Sequence, residues 1–100
     1  MAGVDGWESA RSVMDEAARI VQNDRATAYA APEDNFARIA ACWTALLDTR
    51  LTAPITGPDV ARMMAALKLV RDAHAPKRDN RVDAIGYLLC LERSEPTGQK

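Results

Sequence analysis

The sequence predicts an all-α domain of four helices, and three observations support this prediction. Apolar residues recur at intervals of three and four positions along four segments. Proline, glycine or Asn-Asp pairs separate these segments. No segment alternates apolar and polar residues as a half-buried strand does. The 100 residues leave room for a single domain, which we place at residues 1–93, and we expect the polar residues 94–100 to form a disordered tail.

The first predicted helix runs from Glu8 or Ser12 to Asn23. Ser12 and Asp15, three residues apart, resemble a capping box at the start of a helix. The apolar residues that follow at helical spacing are Val13, Ala17, Ile20 and Val21.

The second predicted helix begins at Pro32, because a proline in the first turn needs no N–H donor there. We expect it to end near Arg50. It has the clearest amphipathic pattern in the chain, formed by Phe36, Ile39, Ala40, Trp43, Leu46 and Leu47.

The third and fourth predicted helices are separated by Pro76. Thr56-Gly57-Pro58-Asp59 combines a cap candidate, an early proline and a first-turn acid, and predicts the start of the third helix. Its apolar stripe consists of Val60, Met63, Met64, Leu67 and Val70. The fourth helix is predicted from Asp79 to Arg93, and its apolar run 84–91 indicates that other helices surround it.

Composition excludes several classes of protein. Thirteen basic and fourteen acidic residues give a formal charge of −1, whereas sequence-independent nucleic-acid binding needs a basic excess. Cys42 and Cys90 lie in apolar stretches and are expected to be buried and reduced. The chain shows no signal peptide or membrane span, so we expect a cytoplasmic protein. Much of the apolar content is alanine, which buries little area, so we expect a homo-oligomer that packs through its helices.

Charged residues interrupt the apolar pattern of the third helix. Arg71 and His74 fall within its stripe at about 100° per residue, and Lys68 flanks it. An inward guanidinium needs a partner, and Asp83 in the fourth helix is available. This pattern leaves two interpretations open: a structural Arg71–Asp83 ion pair, or a phosphate site formed by Lys68 and Arg71.

The segment between the first two helices is rich in polar and aromatic residues. Tyr29 can stack on a base, and Asn35 can read its edge; the alternative is that Asn35 only solvates the first turn of a helix. Phe36 is expected to belong to the core.

Several of these residues together resemble a family of small, uncharacterised proteins of phages and prophages. The resemblance covers 13–92 and departs at Ala30, where the family usually has glycine. The matching residues are Asp24-Arg25, Tyr29, Pro32, Asn35-Phe36, Trp43, Asp59-Val60, Lys68, Arg71, Asp79, Asp83 and Gly86-Tyr87.

That family is similar to the all-α, MazG-like nucleotide pyrophosphohydrolases, which form helical oligomers and hydrolyse nucleoside triphosphates to monophosphates and pyrophosphate. Their Mg²⁺ is held by carboxylates on two helices. Asp83 matches the last of these acids, but Asn80 replaces the acid before it. Lys68 and Arg71 stand where glutamates are expected, and this charge favours an anion over a metal ion.

The resemblance therefore implies a four-helix, MazG-like domain that binds a nucleotide, such as a nucleotide signal to be sequestered, without efficient hydrolysis. Its ligand-binding residues would be Arg25, Tyr29, Asn35, Lys68, Arg71 and Tyr87, with Asp83 orienting Arg71. One alternative is a Mg²⁺-dependent pyrophosphohydrolase with Asp79 and Asp83 as catalytic and metal-binding residues. Another is a structural or interaction module without a ligand, in which Arg71–Asp83 is an internal bridge.

Overall fold

The computed structural model describes residues 5–24 and 32–98, and within them the chain contains four α-helices and no strand. This confirms the all-α prediction. The helices are α1 (Gly6–Arg19), α2 (Pro32–Leu47), α3 (Gly57–His74) and α4 (Arg78–Ser94). A π-helical turn, Ile20–Asp24, continues α1, and a 3₁₀ turn, Asp48–Arg50, follows α2.

The start of α1 differs from the predicted capping box. Asp5 caps the helix, since its carboxylate accepts a hydrogen bond from the Glu8 N–H at 2.6 Å. Ser12 lies inside α1 instead, and its hydroxyl accepts a hydrogen bond from Arg78 at 3.0 Å. The Ser12 cap was therefore wrong, and the alternative start at Glu8 lies two residues from the observed one.

The Thr44 hydroxyl links the segment after α2 to that helix, and Ile55 of the segment packs against the core. Asp48 adopts a left-handed conformation with φ of 47° and ends the regular helix. The chain then returns along α2, where the Ile55 N–H donates to Thr44 Oγ1 at 2.9 Å. The same hydroxyl donates to the Ala40 carbonyl at 2.7 Å. This returning segment places the first turn of α3 against the second turn of α2, since a Cβ at Gly57 would stand 3.6 Å from Phe36 Cβ.

The predicted start and end of α3 are confirmed. Thr56 Oγ1 accepts a hydrogen bond from the Asp59 N–H at 3.3 Å, and the Asp59 carboxylate accepts one from the Thr56 N–H at 3.0 Å. These bonds complete a capping box and lower the pKa of Asp59 below its usual value. After His74 the chain becomes extended at Ala75, the residue before Pro76.

The helices pack around a small core. α3 and α4 form an antiparallel hairpin, α2 crosses the first half of α3, and α1 lies beside α4. A Cβ at Gly86 would stand 3.5 Å from Val21 Cγ2, so α4 and the π-helical turn approach closely there. The buried core cluster consists of Val21, Phe36, Ala40, Val60, Ala61 and Cys90.

Only one of the two cysteines is buried as predicted. Cys90 is buried, but Cys42 is exposed. At about 100° per residue, Cys42 lies on the side of α2 opposite Ala40. Its apolar neighbours in the sequence therefore did not show that its side chain is exposed.

The apolar residues of α3 do not form one buried stripe. Val60 is fully buried and Met64 is half-buried, whereas Met63, Leu67 and Val70 are 46%, 43% and 71% exposed. The stripe prediction was therefore wrong for these three residues. We call the exposed apolar surface the outer face of α3: Met63, Ala66, Leu67, Leu69, Val70 and Ala73.

The last described residues continue from α4. Ser94 is still helical, and Thr97 donates two hydrogen bonds, both of 2.7 Å, to the carboxylate of Glu92. These bonds lower the pKa of Glu92. The disorder predicted for residues 94–100 stays a prediction. Within the described residues, no helix has the length and hydrophobicity that crossing a bilayer requires.

Candidate functional site

Asp72 fixes the turn of the α3–α4 hairpin. Its carboxylate accepts hydrogen bonds from the Lys77 N–H at 3.0 Å and from Arg81 Nε at 3.1 Å. The Lys77 bond, and after it the interaction with Arg81, hold the pKa of Asp72 below its usual value. Both bonds cross the link between the helices, so they fix where α4 starts.

One turn before Asp72, Lys68 forms a second ion pair between the two helices. Its Nζ lies 2.9 Å from Asp83 Oδ2. The Lys68 side chain is only 16% exposed and that of Asp83 is 32% exposed. Removing a charge from water costs several kcal/mol unless a close counter-ion offsets it. Asp83 therefore allows the Lys68 ammonium to lie between the helices.

The predicted pairing of Arg71 with Asp83 was wrong, because Lys68 takes that position. Arg71 is exposed and forms no ion pair with another described residue. His74, predicted in the same stripe, is also exposed. The cause is the rotation of α3: Lys68 and Asp72 share the face that meets α4, and Arg71 lies about 60° round from Lys68 towards solvent.

An aromatic contact lies next to this ion pair. Tyr87 follows Asp83 by one turn of α4 and is half-buried. Its ring centroid is 6.0 Å from that of Phe36, with the planes inclined at 41°, an arrangement typical of aromatic pairs. Phe36 is buried, as predicted. The ion pair and the tyrosine therefore form one polar strip beside the start of α2.

The structure brings together only part of the predicted ligand-binding set. Lys68 and Tyr87 lie beside Asp83, and Arg71 is one turn from Lys68 along α3. Asn35 and Asp79 are exposed in the first turns of α2 and α4. The remaining two predicted residues, Arg25 and Tyr29, lie outside the described residues.

Sequence reasoning missed two ion pairs that hold basic residues near this strip. Arg81 is paired with Asp72, and Arg78 is paired with Glu16 of α1. Asp72 and Arg81 stand on either side of Pro76, so a hairpin model could have suggested their contact. Nothing in the sequence connects Glu16 with Arg78.

The acidic residues of the site do not fit a magnesium ion. No group of three or more His, Cys, Asp or Glu side chains is placed to hold a metal among residues 5–24 and 32–98. Asp83, one of the two predicted ligands, contacts the Lys68 ammonium. A dication at Asp83 would have to displace that ammonium and still find a second carboxylate.

Comparison with known proteins places the whole hairpin within one family. The family described as "Domain of unknown function (DUF6378)" matches residues 12–95. The chain belongs to this family. The DUF6378 region begins within α1, at Ser12, and ends one residue after α4. It therefore contains every residue proposed for the site.

Most of the chain also resembles a phage protein. The "Gene 55 protein" of Mycobacterium phage D29 is 32% identical over 83 residues, which are 82% of this chain and 52% of the relative. The chain thus spans about half the length of that protein. This relative supports the predicted phage-type family. No solved structure matches the chain.

Proposed function

We propose that this protein binds a nucleotide through its phosphate groups, using Lys68 and Arg71, and does not hydrolyse it efficiently. The observation that carries the proposal is the Lys68–Asp83 pair, in which an ammonium only 16% exposed lies one turn from the exposed Arg71. Among the described residues, no charged or polar side chain is fully buried. Among the ion pairs of the described residues, only the side chain of Asp72, at 15%, is less exposed than that of Lys68, and Asp83 holds the Lys68 ammonium in one position.

The two basic side chains have complementary roles. Asp83 holds the Lys68 ammonium beside the hairpin, where it acts as a fixed point charge. The Arg71 guanidinium is exposed and can bind two phosphate oxygens at once. A phosphate bound across both residues would neutralise Arg71 and share the ammonium with Asp83.

The resemblance described above suggests which residues contact the rest of the nucleotide. Tyr87 is half-buried beside the ion pair and presents its remaining exposed edge to a base or ribose. Arg25, Tyr29 and Asn35 complete the proposed set. The similarity to MazG-like enzymes supports a nucleotide as ligand, while the pairing of Asp83 with Lys68 supports binding without Mg²⁺.

A thermal-shift screen of the purified protein tests this function. The ligands are nucleoside mono-, di- and triphosphates and cyclic dinucleotides, each with Mg²⁺ and with EDTA. A ligand at 100 times its Kd adds about 2.7 kcal/mol, which is several degrees for a domain of this size. We expect a shift that persists in EDTA.

The Arg71→Ala variant tests the residue assignment by calorimetric titration with the nucleotide that gives the largest shift. Loss of a charged hydrogen-bond partner should weaken binding about 10- to 100-fold. Arg50→Ala removes an exposed arginine outside the hairpin and should keep full affinity. Circular dichroism checks that both variants keep their helices.

Two results would replace the proposal. A shift that requires Mg²⁺, together with release of pyrophosphate, would identify the pyrophosphohydrolase. No shift with any nucleotide would leave Lys68–Asp83 as a purely structural pair and favour an interaction module.

A further inference from the structure

Ion pairs use most of the positive charge at the turn of the α3–α4 hairpin. Residues 68–83 contain five basic and three acidic residues. With Glu16 of α1 included, the acids number four, so this region has a net charge of +1 when His74 is neutral. Three of its basic residues are paired with a carboxylate: Lys68 with Asp83, Arg81 with Asp72, and Arg78 with Glu16.

The charge that remains for a ligand is concentrated at Arg71. Two exposed basic residues of the region, Arg71 and Lys77, form no ion pair with another described residue. Lys77 is followed two residues later by the exposed Asp79, which offsets its charge. The segment 25–38 supplies three other proposed ligand-binding residues, and it adds no net charge because it holds two basic and two acidic residues. The site therefore has one positive charge in excess.

Asp83 places a negative charge next to any phosphate that Lys68 binds. Its Oδ2 lies 2.9 Å from Lys68 Nζ, and a phosphate oxygen bound to that nitrogen would be about equally close to it. The phosphate oxygen would then lie within about 6 Å of the carboxylate, a separation at which two like charges disfavour each other. Because both side chains of the pair are partly buried, salt screens this repulsion less than it does between exposed charges.

We infer that the ligand is a nucleotide whose phosphate is a diester with a single negative charge, as in a cyclic nucleotide, rather than a nucleoside di- or triphosphate. This inference rests on the nucleotide site proposed above and specifies its ligand class. A diester carries one negative charge per phosphate, which equals the excess charge of the site. Its two unesterified oxygens also match the paired N–H groups of the Arg71 guanidinium.

A nucleoside triphosphate does not match this site. It carries about four negative charges, because its terminal phosphate carries nearly two and each inner phosphate carries one. Most of these charges would find no counter-ion, and those nearest Lys68 would be repelled by Asp83. Asp83 therefore selects against phosphates of high charge.

Calorimetric titration of the wild-type protein in EDTA tests this selection by charge. The probes are cyclic AMP, AMP and ATP, together with the corresponding guanine nucleotides. We expect the cyclic nucleotide to bind at least about 10-fold tighter than the triphosphate, with the monophosphate between them. AMP and ATP share the same linear ribose phosphate, so the comparison between these two isolates the effect of charge. Titration with cyclic di-AMP then shows whether the diester belongs to a mononucleotide or to a dinucleotide.

The Asp83→Asn variant tests whether this carboxylate sets the preference. Removing its charge should reduce the ratio of the two affinities, cyclic nucleotide over triphosphate, by a factor of about 10. A merely structural carboxylate would instead change both affinities equally. Asp48→Asn is the matched control, because Asp48 is exposed, lies outside the hairpin, and has a left-handed backbone that asparagine tolerates. The ligand series on the wild-type protein does not depend on whether Asp83→Asn folds.

The possible results separate this inference from the function on which it rests. If ATP binds in EDTA as tightly as AMP and the cyclic nucleotide, or more tightly, the selection by charge is wrong while nucleotide binding stands. If none of the nucleotides binds, both are wrong. Tighter binding of a short single-stranded oligonucleotide than of any cyclic nucleotide would also overturn the inference, because it would identify a nucleic-acid strand as the source of the diester.

Discussion

The second half of α3 has the reverse of the polarity expected for a surface helix, in contrast to its first half, which buries Val60, Ala61 and Ala65. Towards α4, Lys68 and Asp72 are 16% and 15% exposed, and each is paired with a charge on the neighbouring helix. Towards solvent, Leu69 and Val70 are more than half exposed. The ion pairs therefore link α3 to α4 at defined positions, whereas the exposed apolar side chains contribute little to the packing of the described residues.

The largest effect should come from comparing two valines on these faces. Val60 is fully buried, so Val60→Ala removes two methyl groups from packed surroundings and should lower the free energy of unfolding by about 2–3 kcal/mol. Val70→Ala should change it by less than about 0.5 kcal/mol at low protein concentration. Urea unfolding measures both. Equal costs for the two valines in dilute protein would contradict the assignment of an inner and an outer face.

A slightly smaller effect is expected when Lys68 loses its ion-pair partner. Asp83→Asn leaves the Lys68 ammonium without an anion, and we expect a loss of about 2 kcal/mol, between the values for exposed and buried pairs. The double variant Lys68→Met, Asp83→Leu should return to within about 1 kcal/mol of wild type, because it leaves no unpaired charge. If Asp83→Asn unfolds in urea like the wild type, the ion pair does not stabilise the hairpin.

The smallest effect should be a dependence on pH at the hairpin turn. The folded protein lowers the pKa of Asp72 below its ordinary value of 3.8, so this carboxylate stabilises the fold above that pH, and its contribution is lost as the pH falls through the lower, folded-state pKa. Asp72→Asn should reduce the slope of unfolding free energy against pH below about 4. Part of the slope should remain, because Asp59 and Glu92 also have lowered pKa values. An unchanged slope would show that Asp72 does not contribute.

The sequence predicted where helices occur better than it predicted which side of each helix is buried. The start of α3 was correct because Thr56 to Asp59 carry a local hydrogen-bonding signal that does not depend on the rest of the fold. The start of α1 was misplaced because Ser12 has the same local signal, yet its hydroxyl is used by Arg78 of a distant helix. Local chemistry therefore predicts a cap only where no tertiary partner competes for it.

The residues of the candidate site were predicted, but the ion pair between them was not. Lys68, Arg71 and Asp83 were identified, and the structure joins Lys68 rather than Arg71 to Asp83. Hydrophobic periodicity could not fix the rotation of α3, because apolar residues lie on nearly every side of this helix. The register of one helix against another depends on packing, which a single sequence does not display.

The alanine content of the core affects how the stability of the protein depends on temperature. Among the residues that the structure describes, half of the ten buried apolar ones are alanine: Ala17, Ala40, Ala61, Ala65 and Ala84. Alanine buries little area, so one chain should unfold with a heat-capacity change below the roughly 1.2–1.5 kcal/mol/K usual for 100 residues, and its stability should vary little with temperature. Covering the outer face of α3 adds apolar burial and with it heat capacity. An associated form would therefore be more sensitive to cold than the separate chain, because hydrophobic contacts weaken on cooling.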